Sequence, residues 1–281
     1  MSPSLRSRLH RRLGPLGVAA LAVIATLGLM AVLAPLLPVA DPTDVDLSDT
    51  FAPPSAGHPF GTDSNGRDIL ARLVWGSRTA LLGPLTVTVV ATAVGVVLAV
   101  VASWRGGWSD GVISRMFDVV FAFPGILLAL VVAAVVGAGF VAAVAALSVA
   151  YIPYIGRVTR GAALQQVRQP YVAALSVQGQ SATAICARHV VPNVGILIVA
   201  QATVTFGYAL VDLAALSYLG LGVEQATPDW GAIVAAGQSD ILSGYPQQSL
   251  YAGVLIVVAV AACCIVGERI SDREQYWGRL R

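Results

Sequence analysis

The sequence contains no lysine; every strongly basic side chain is an arginine. A chain without lysine has no P-loop, whose lysine reaches the nucleotide phosphates, and no lysine Schiff base. Any ATP hydrolysis linked to it therefore belongs to another polypeptide. Charge of either sign is scarce: Asp, Glu, Lys and Arg make up 11% of the 281 residues, against about a quarter in ordinary soluble domains. Hydrophobic residues make up 57%, which marks an integral membrane protein. The arginines are scattered among segment ends rather than clustered on one face, which excludes a nucleic-acid surface. The cysteines are Cys186, Cys263 and Cys264. Their spacing suits neither a metal site nor a disulfide framework, so they read as small packing residues. His10, His58 and His189 lie far apart, and no constellation of nucleophile, base or metal ligands suggests an enzyme.

What the chain does have is apolar runs long enough to cross a bilayer. They predict an all-α protein with six transmembrane helices, at about Pro15–Val39, Thr79–Ser103, Phe117–Val136, Phe140–Ile155, Val194–Leu219 and Leu250–Val266. The first run exceeds the roughly 7–15 apolar residues of a signal-peptide core, so it reads as an uncleaved membrane helix. The organisation follows: residues 1–40 as amino terminus and first helix, 41–78 as a polar loop with an interfacial helix, 79–270 as a core of five helices, and 271–281 as a tail. Only Arg67, Arg72 and Arg78 fall on the side opposite the amino terminus; all other arginines fall on its side. The positive-inside rule then makes both termini cytoplasmic.

Several local expectations follow from residue chemistry. Asn65-Gly66 supplies a turn. Asp68–Arg78 forms an amphipathic helix at the membrane surface, and Asp63, Arg67, Asp68 and Arg72 form a mutual ion cluster. Asp118 pairs with nearby Arg115, and Pro124 kinks the third helix. Trp230 suits an interface position. The fifth helix carries Gln201, Thr203, Thr205, Tyr208 and Asp212. Polar groups inside a membrane helix face the bundle interior or a water-filled cavity, so Gln201, Thr205, Tyr208 and Asp212 are candidates for lining a pathway, or for hydrogen bonds between helices.

Between the fourth and fifth runs lies YVAALSVQGQSATAICARHVVPN, Tyr171 to Asn193, polar and basic enough to leave the membrane. It predicts a short helix, a break at Gly179, and a second short helix that Pro192 stops. Through Tyr171, Val172, Ala174, Gly179, Arg188, His189, Pro192 and Asn193 it resembles the coupling loop of ATP-binding cassette importer permeases, where an EAA segment precedes a glycine and a basic-His-x-x-Pro ending. The family's glutamate is Ala173 here, and its second alanine is Leu175. The segment from His58 to Leu81 is similar to the one before the second helix in C-type permeases of dipeptide, oligopeptide and nickel importers. It matches at His58, Gly61, Thr62, Asp63, Gly66, Arg67, Asp68, Leu70, Arg72, Gly76 and Arg78. Arg115, Asp118, Phe123, Pro124, LSYLGLG from Leu216, TPDWG from Thr227 and GERISD from Gly267 extend the resemblance along nearly the whole chain.

The resemblance implies a type I importer permease fold with a coupling loop over 161–193, working in a heterodimer with a second permease subunit. Two cytoplasmic ATPases would bind ATP and push on the loop, and an extracytoplasmic solute-binding protein would deliver cargo. This chain would hold no cofactor or metal, and its remaining contacts would be with membrane lipid. The implied cargo is a di- or oligopeptide, with nickel or a metal chelate as the alternative. A secondary transporter would show internal repeats and intramembrane ion sites; no clear repeat is present.

Overall fold

The computed structural model describes residues 3–223 and 227–278, with side-chain surroundings for 14–223 and 227–271. The arginines before Gly14 and after Asp272 thus lie outside the residues whose side chains are described. The regular structure among the described residues is helical, apart from one isolated bridge between Thr62 and Asp68. Helix α1 (Pro3–Leu33) is interrupted at Gly14, and its membrane-length part is Gly14–Leu36. A polar loop leads to α2 (Ile69–Arg105), followed by α3 (Gly107–Phe121), α4 (Gly125–Val136) and α5 (Phe140–Val167). Then come α6 (Pro170–Val177), α7 (Ala182–Ile185), α8 (Val191–Tyr218), α9 (Trp230–Ala236), α10 (Gln238–Leu242) and α11 (Gln247–Gly278). Among the described residues, five helical runs are long and apolar enough to span a bilayer, and α3 with α4 supplies a sixth if that bent pair is one span.

Several boundaries differ from the sequence expectation, each for a physical reason. The helix expected to lie at the surface over Asp68–Arg78 is instead the start of α2 itself. Nothing between Ile69 and Gly83 interrupts it, and Ile69 and Leu73 are buried with Leu210, Trp230 and Ile233. Pro124 breaks the third span rather than kinking it: α3 and α4 meet at 80°. A proline lacks the N–H that would continue the ladder and pushes the residue before it out of helical geometry. Pro192 does not stop a helix at all. The run from Ala182 to Tyr218 is continuous through a π-turn at Cys186–Val190. That wider turn shifts the hydrogen-bond register just before Pro192, so the break in the i→i−4 ladder that a proline imposes falls where the ladder already changes. Fourth and last helices both extend further than expected, to Val167 and Gly278.

The core packs α2, α4, α5 and α8 around Val87, Ala91, Ala129, Leu147, Tyr151, Ala209 and Leu213. A second cluster joins α1, α2, α8, α9 and α11. Alanine is prominent at the closest contacts, as at Ala91, Ala99, Ala102 and Ala209, none of which is exposed. Lipid is as apolar as the core, so close van der Waals contact between small residues drives such association in place of the hydrophobic effect. One end of the bundle gathers arginines: Arg160 makes a two-point contact with Asp110, and Ser103 Oγ donates to the Arg160 carbonyl. The opposite end is closed by the 41–68 loop and α9.

Candidate functional site

The Tyr171–Asn193 stretch projects from the arginine-rich end. Gln178 ends α6, and Gly179 adopts φ +79°, a backbone that side-chain-bearing residues resist. Ser181 then caps α7, its Oγ accepting from the Ala184 N–H at 3.3 Å. A small apolar cluster of Ala163, Val172, Ile185 and Val190, flanked by Trp104 and Leu175, anchors the two short helices. The two ends of the stretch are clasped through Tyr171. Its hydroxyl donates to Gln166 Oε1 and accepts from Asn193 Nδ2, both at 3.1 Å.

The structure therefore brings Tyr171 and Asn193 together, while Val172, Ile185, Cys186 and Val190 turn inward and most of the remaining residues face outward. Ala173, Ala174, Gly179, Arg188 and Pro192 are exposed and His189 is half-buried. Val177 is 90% exposed, next to Ala173 one turn earlier on the same face of α6. The outward face of α6 is thus small and uncharged. Residues 161–193 include no acidic residue; Arg168, Arg188 and His189 carry the only ionisable charge apart from Tyr171 and Cys186.

The four candidates on the fifth helix divide. Thr205 is 1% exposed and points into the bundle, its hydroxyl without a hydrogen-bond partner among the described residues, so it lines no open surface. Gln201 is half-buried. Tyr208 is 47% exposed, and Asp212, one turn on, is half-buried with Oδ2 accepting from the Tyr151 hydroxyl at 2.8 Å. Thr203 is spent on its own helix, donating to the Val199 carbonyl at 2.8 Å.

Sequence reasoning passed over Tyr151 and Tyr154 of α5. They stand 5.2 Å apart between ring centroids, and Tyr154 is 4.7 Å from Phe121 at the α3–α4 break. Their signal was two phenols three residues apart within an apolar run. Asp118 pairs with Arg157 of α5 rather than with Arg115, because α3 runs antiparallel along α5 and presents Asp118 to it. The Arg157 guanidinium also sits 4.5 Å over the Phe121 ring.

At the far end, the expected ion cluster is real but partitioned. Asp63 Oδ2 accepts from Arg67 Nε at 2.8 Å and from Arg72 Nη1, while Oδ1 accepts the Asn65 and Arg67 N–H groups. Asp68 does not join the arginines. It caps α2 through the Ala71 N–H at 2.6 Å and bonds His58 Nδ1 at 2.8 Å. Gly66 turns here at φ +72°, where an added Cβ would overlap the Asp46 carbonyl. Trp230, expected at an interface, is wholly buried, its Nε1 donating to the Leu73 carbonyl at 3.0 Å. Beside it, burial pushes the Asp229 carboxyl above its ordinary range. Hydrogen bonds to Oδ1 from the Ala232 and Gly231 N–H groups pull the other way.

With this geometry in place, comparison with known proteins decides the family. Residues 70–273 match the family described as "Binding-protein-dependent transport system inner membrane component". The chain belongs to that family. It is similar to the dipeptide transport system permease protein DppC of Alkalihalophilus pseudofirmus, at 35% identity over 78% of this chain and 72% of that protein. The glutathione transport system permease protein GsiD of Pectobacterium atrosepticum is 34% identical over the same shares. A putative peptide transport system permease of Brucella suis is 34% identical over 79% of this chain and 74% of that one. Among solved structures, an inward-facing MetNI methionine transporter chain aligns with a TM-score of 0.58 at 21% identity, covering 72% of this chain and 95% of that chain. That likeness speaks for the fold. The chain is thus a multi-pass membrane permease component of a binding-protein-dependent importer, and not an enzyme.

Proposed function

We propose that this permease carries di- or oligopeptides inward, as the C-type subunit of a heterodimeric pore driven by two cytoplasmic ATPases that bind the ATP. One observation carries the coupling half of this reading: Tyr171–Asn193 is one short helix, a break at Gly179 and the protruding start of the run that becomes α8, its two ends clasped through Tyr171 and presented outside the bundle. Such an element is a handle for a soluble partner. The exposed Ala174, Gly179, Arg188 and Pro192 form its contact surface, and Tyr171, His189 and Asn193 hold its base. The arginines gathered at the same end support a cytoplasmic location for the loop and both termini. A solute-binding protein then docks at the opposite end, against the 41–68 loop and the segment around α9. Tyr208 and Asp212, with Gln201 deeper on the same helix, border the pathway. Thr205 serves helix packing.

The cargo half rests on the relatives, named for dipeptide, glutathione and peptide transport; nickel appears in none of those three names. The test is co-purification from detergent-solubilised membranes, comparing wild type with Gly179→Trp and with deletion of Tyr171–Asn193. Wild type is expected to bring down an ATPase and a second permease, and the loop variants to lose the ATPase alone. A wild-type preparation without an ATPase under every nucleotide condition overturns the coupling reading.

A further inference from the structure

We propose that Asp212 and the aromatic rings beside it form a contact site for an ammonium group, the charged amino end of a peptide in transit; this rests on the peptide reading above. Asp212 is a carboxylate within a membrane helix, where an unpaired charge costs several kcal/mol. Yet among the described residues it makes no ion pair, and its side-chain hydrogen bond is the single one from Tyr151 to Oδ2. Oδ1 is left without a partner on a half-buried residue. Arg157, the cation on the helix that carries Tyr151, is already held by Asp118 and the Phe121 ring. A Cβ built on Gly125, the first residue of α4, would stand 3.5 Å from Asp212 Oδ2, so that helix start lends the carboxylate partial positive charge. No full counter-charge among the described residues reaches it, which leaves the site open to one from outside the chain.

The surroundings select its chemistry. Tyr151, Tyr154 and Phe121 form a stepped run of rings, and the exposed Tyr208 lies one turn before Asp212. Ring faces attract cations, most strongly where water is scarce. The α3–α4 break leaves residues 121–124 exposed along this run, so Phe121 and Tyr154 face open space, while Tyr151 is buried behind them and holds the carboxylate. A bare metal cation would need several oxygen ligands, and one carboxylate with one phenol does not supply them. An ammonium needs one charge-assisted acceptor and tolerates ring faces for its remaining N–H and C–H groups. A cargo carboxylate would be repelled. The site thus reads the sign of the cargo's passing end, through a single hydrogen bond that can be released.

The test uses the complete importer in liposomes, with ATP in the lumen and its binding protein outside. The readout is dialanine uptake with methylammonium chloride, or potassium chloride at equal ionic strength, trapped in the lumen. Methylammonium reaches the site from the cytoplasmic side and bypasses the binding protein. It is expected to slow wild-type uptake where potassium does not. Asp212→Asn is expected to lower uptake about tenfold, the scale of one hydrogen bond to a charged group, and to abolish the methylammonium effect; Asp212→Glu is expected to restore both. If Asp212→Asn fails to assemble, Tyr151→Phe retains the carboxylate and the ring while freeing Oδ2, and is expected to change the methylammonium sensitivity. Uptake by Asp212→Asn at the wild-type rate, or equal inhibition by methylammonium and potassium in wild type, overturns the proposal. Wild type that carries no dialanine with its binding protein removes the peptide reading, and this proposal with it.

Discussion

The two ends of this permease solve opposite problems. At one end, polar groups are buried and matched: Asp63 with Arg67 and Arg72, Asp68 with the α2 terminus and His58, Trp230 with the Leu73 carbonyl. At the other, the Tyr171–Asn193 stretch exposes most of its surface and is held by a small apolar cluster and the hydroxyl of Tyr171. A buried, matched network resists deformation, because removing any member leaves a desolvated group behind. An exposed, lightly anchored pair of helices leaves its surface available to a second protein. The comparison predicts that substitutions at the first end move stability, and those at the second move assembly.

The largest effect is expected at Asp63. Its side chain is inaccessible and pairs with two arginines, so Asp63→Ala strands buried positive charge and costs about 3–5 kcal/mol. Thermal melting of the detergent-solubilised protein checks this; an unchanged midpoint would break the contrast between the ends. Asp229 comes next. Its Oδ1 caps α9 through the Gly231 and Ala232 N–H groups, so Asp229→Ala is expected to cost about 1 kcal/mol, measured the same way.

The pH dependence of Asp229 has a definite sign. Burial raises its carboxyl in the folded protein, so the folded state holds its proton more tightly than the unfolded chain. That contribution is complete below the ordinary carboxylate value of about 3.9 and is lost as pH rises through the raised folded value. Asp229→Asn, which keeps an acceptor for the cap, is expected to remove this slope from melting curves taken across that range.

Smaller still in stability is the Asp118–Arg157 pair. Both side chains are about half exposed, at 55% and 43%, and such pairs are worth about 0–1 kcal/mol. Arg157→Gln is expected to shift the melting midpoint little. The least change in stability belongs to Val177→Asp, within about 0.5 kcal/mol, because the side chain touches little of its own protein. Its expected result is loss of ATPase in co-purification at full thermal stability. Retained ATPase would move the contact surface off the exposed face of α6.

Much of this division was legible beforehand. The apolar runs marked the spans, since hydropathy is a sum over neighbouring residues. Gly179 and the Arg188-His189-x-x-Pro192 ending marked the loop, because a positive φ and a proline act locally. Where a local rule met a tertiary contact, the contact prevailed. Asp68–Arg78 has the composition of a surface helix, yet Trp230, far along the chain, buries its start. Pro192 has the chemistry of a stop, yet the π-turn before it carries the helix through. Thr205 and Tyr208 are equally polar on paper, and only the packing of α8 sends one inward and the other to open space.

A lysine-free, arginine-asymmetric membrane chain of helical spans can be read from the residues alone, because composition and short-range backbone preferences need no partner. Which polar groups meet across helices depends on packing. Asp118 finds Arg157 across 39 positions, and Asp212 finds Tyr151 across 61. No propensity reaches that far; such pairs exist because helices laid side by side bring distant turns within hydrogen-bond distance.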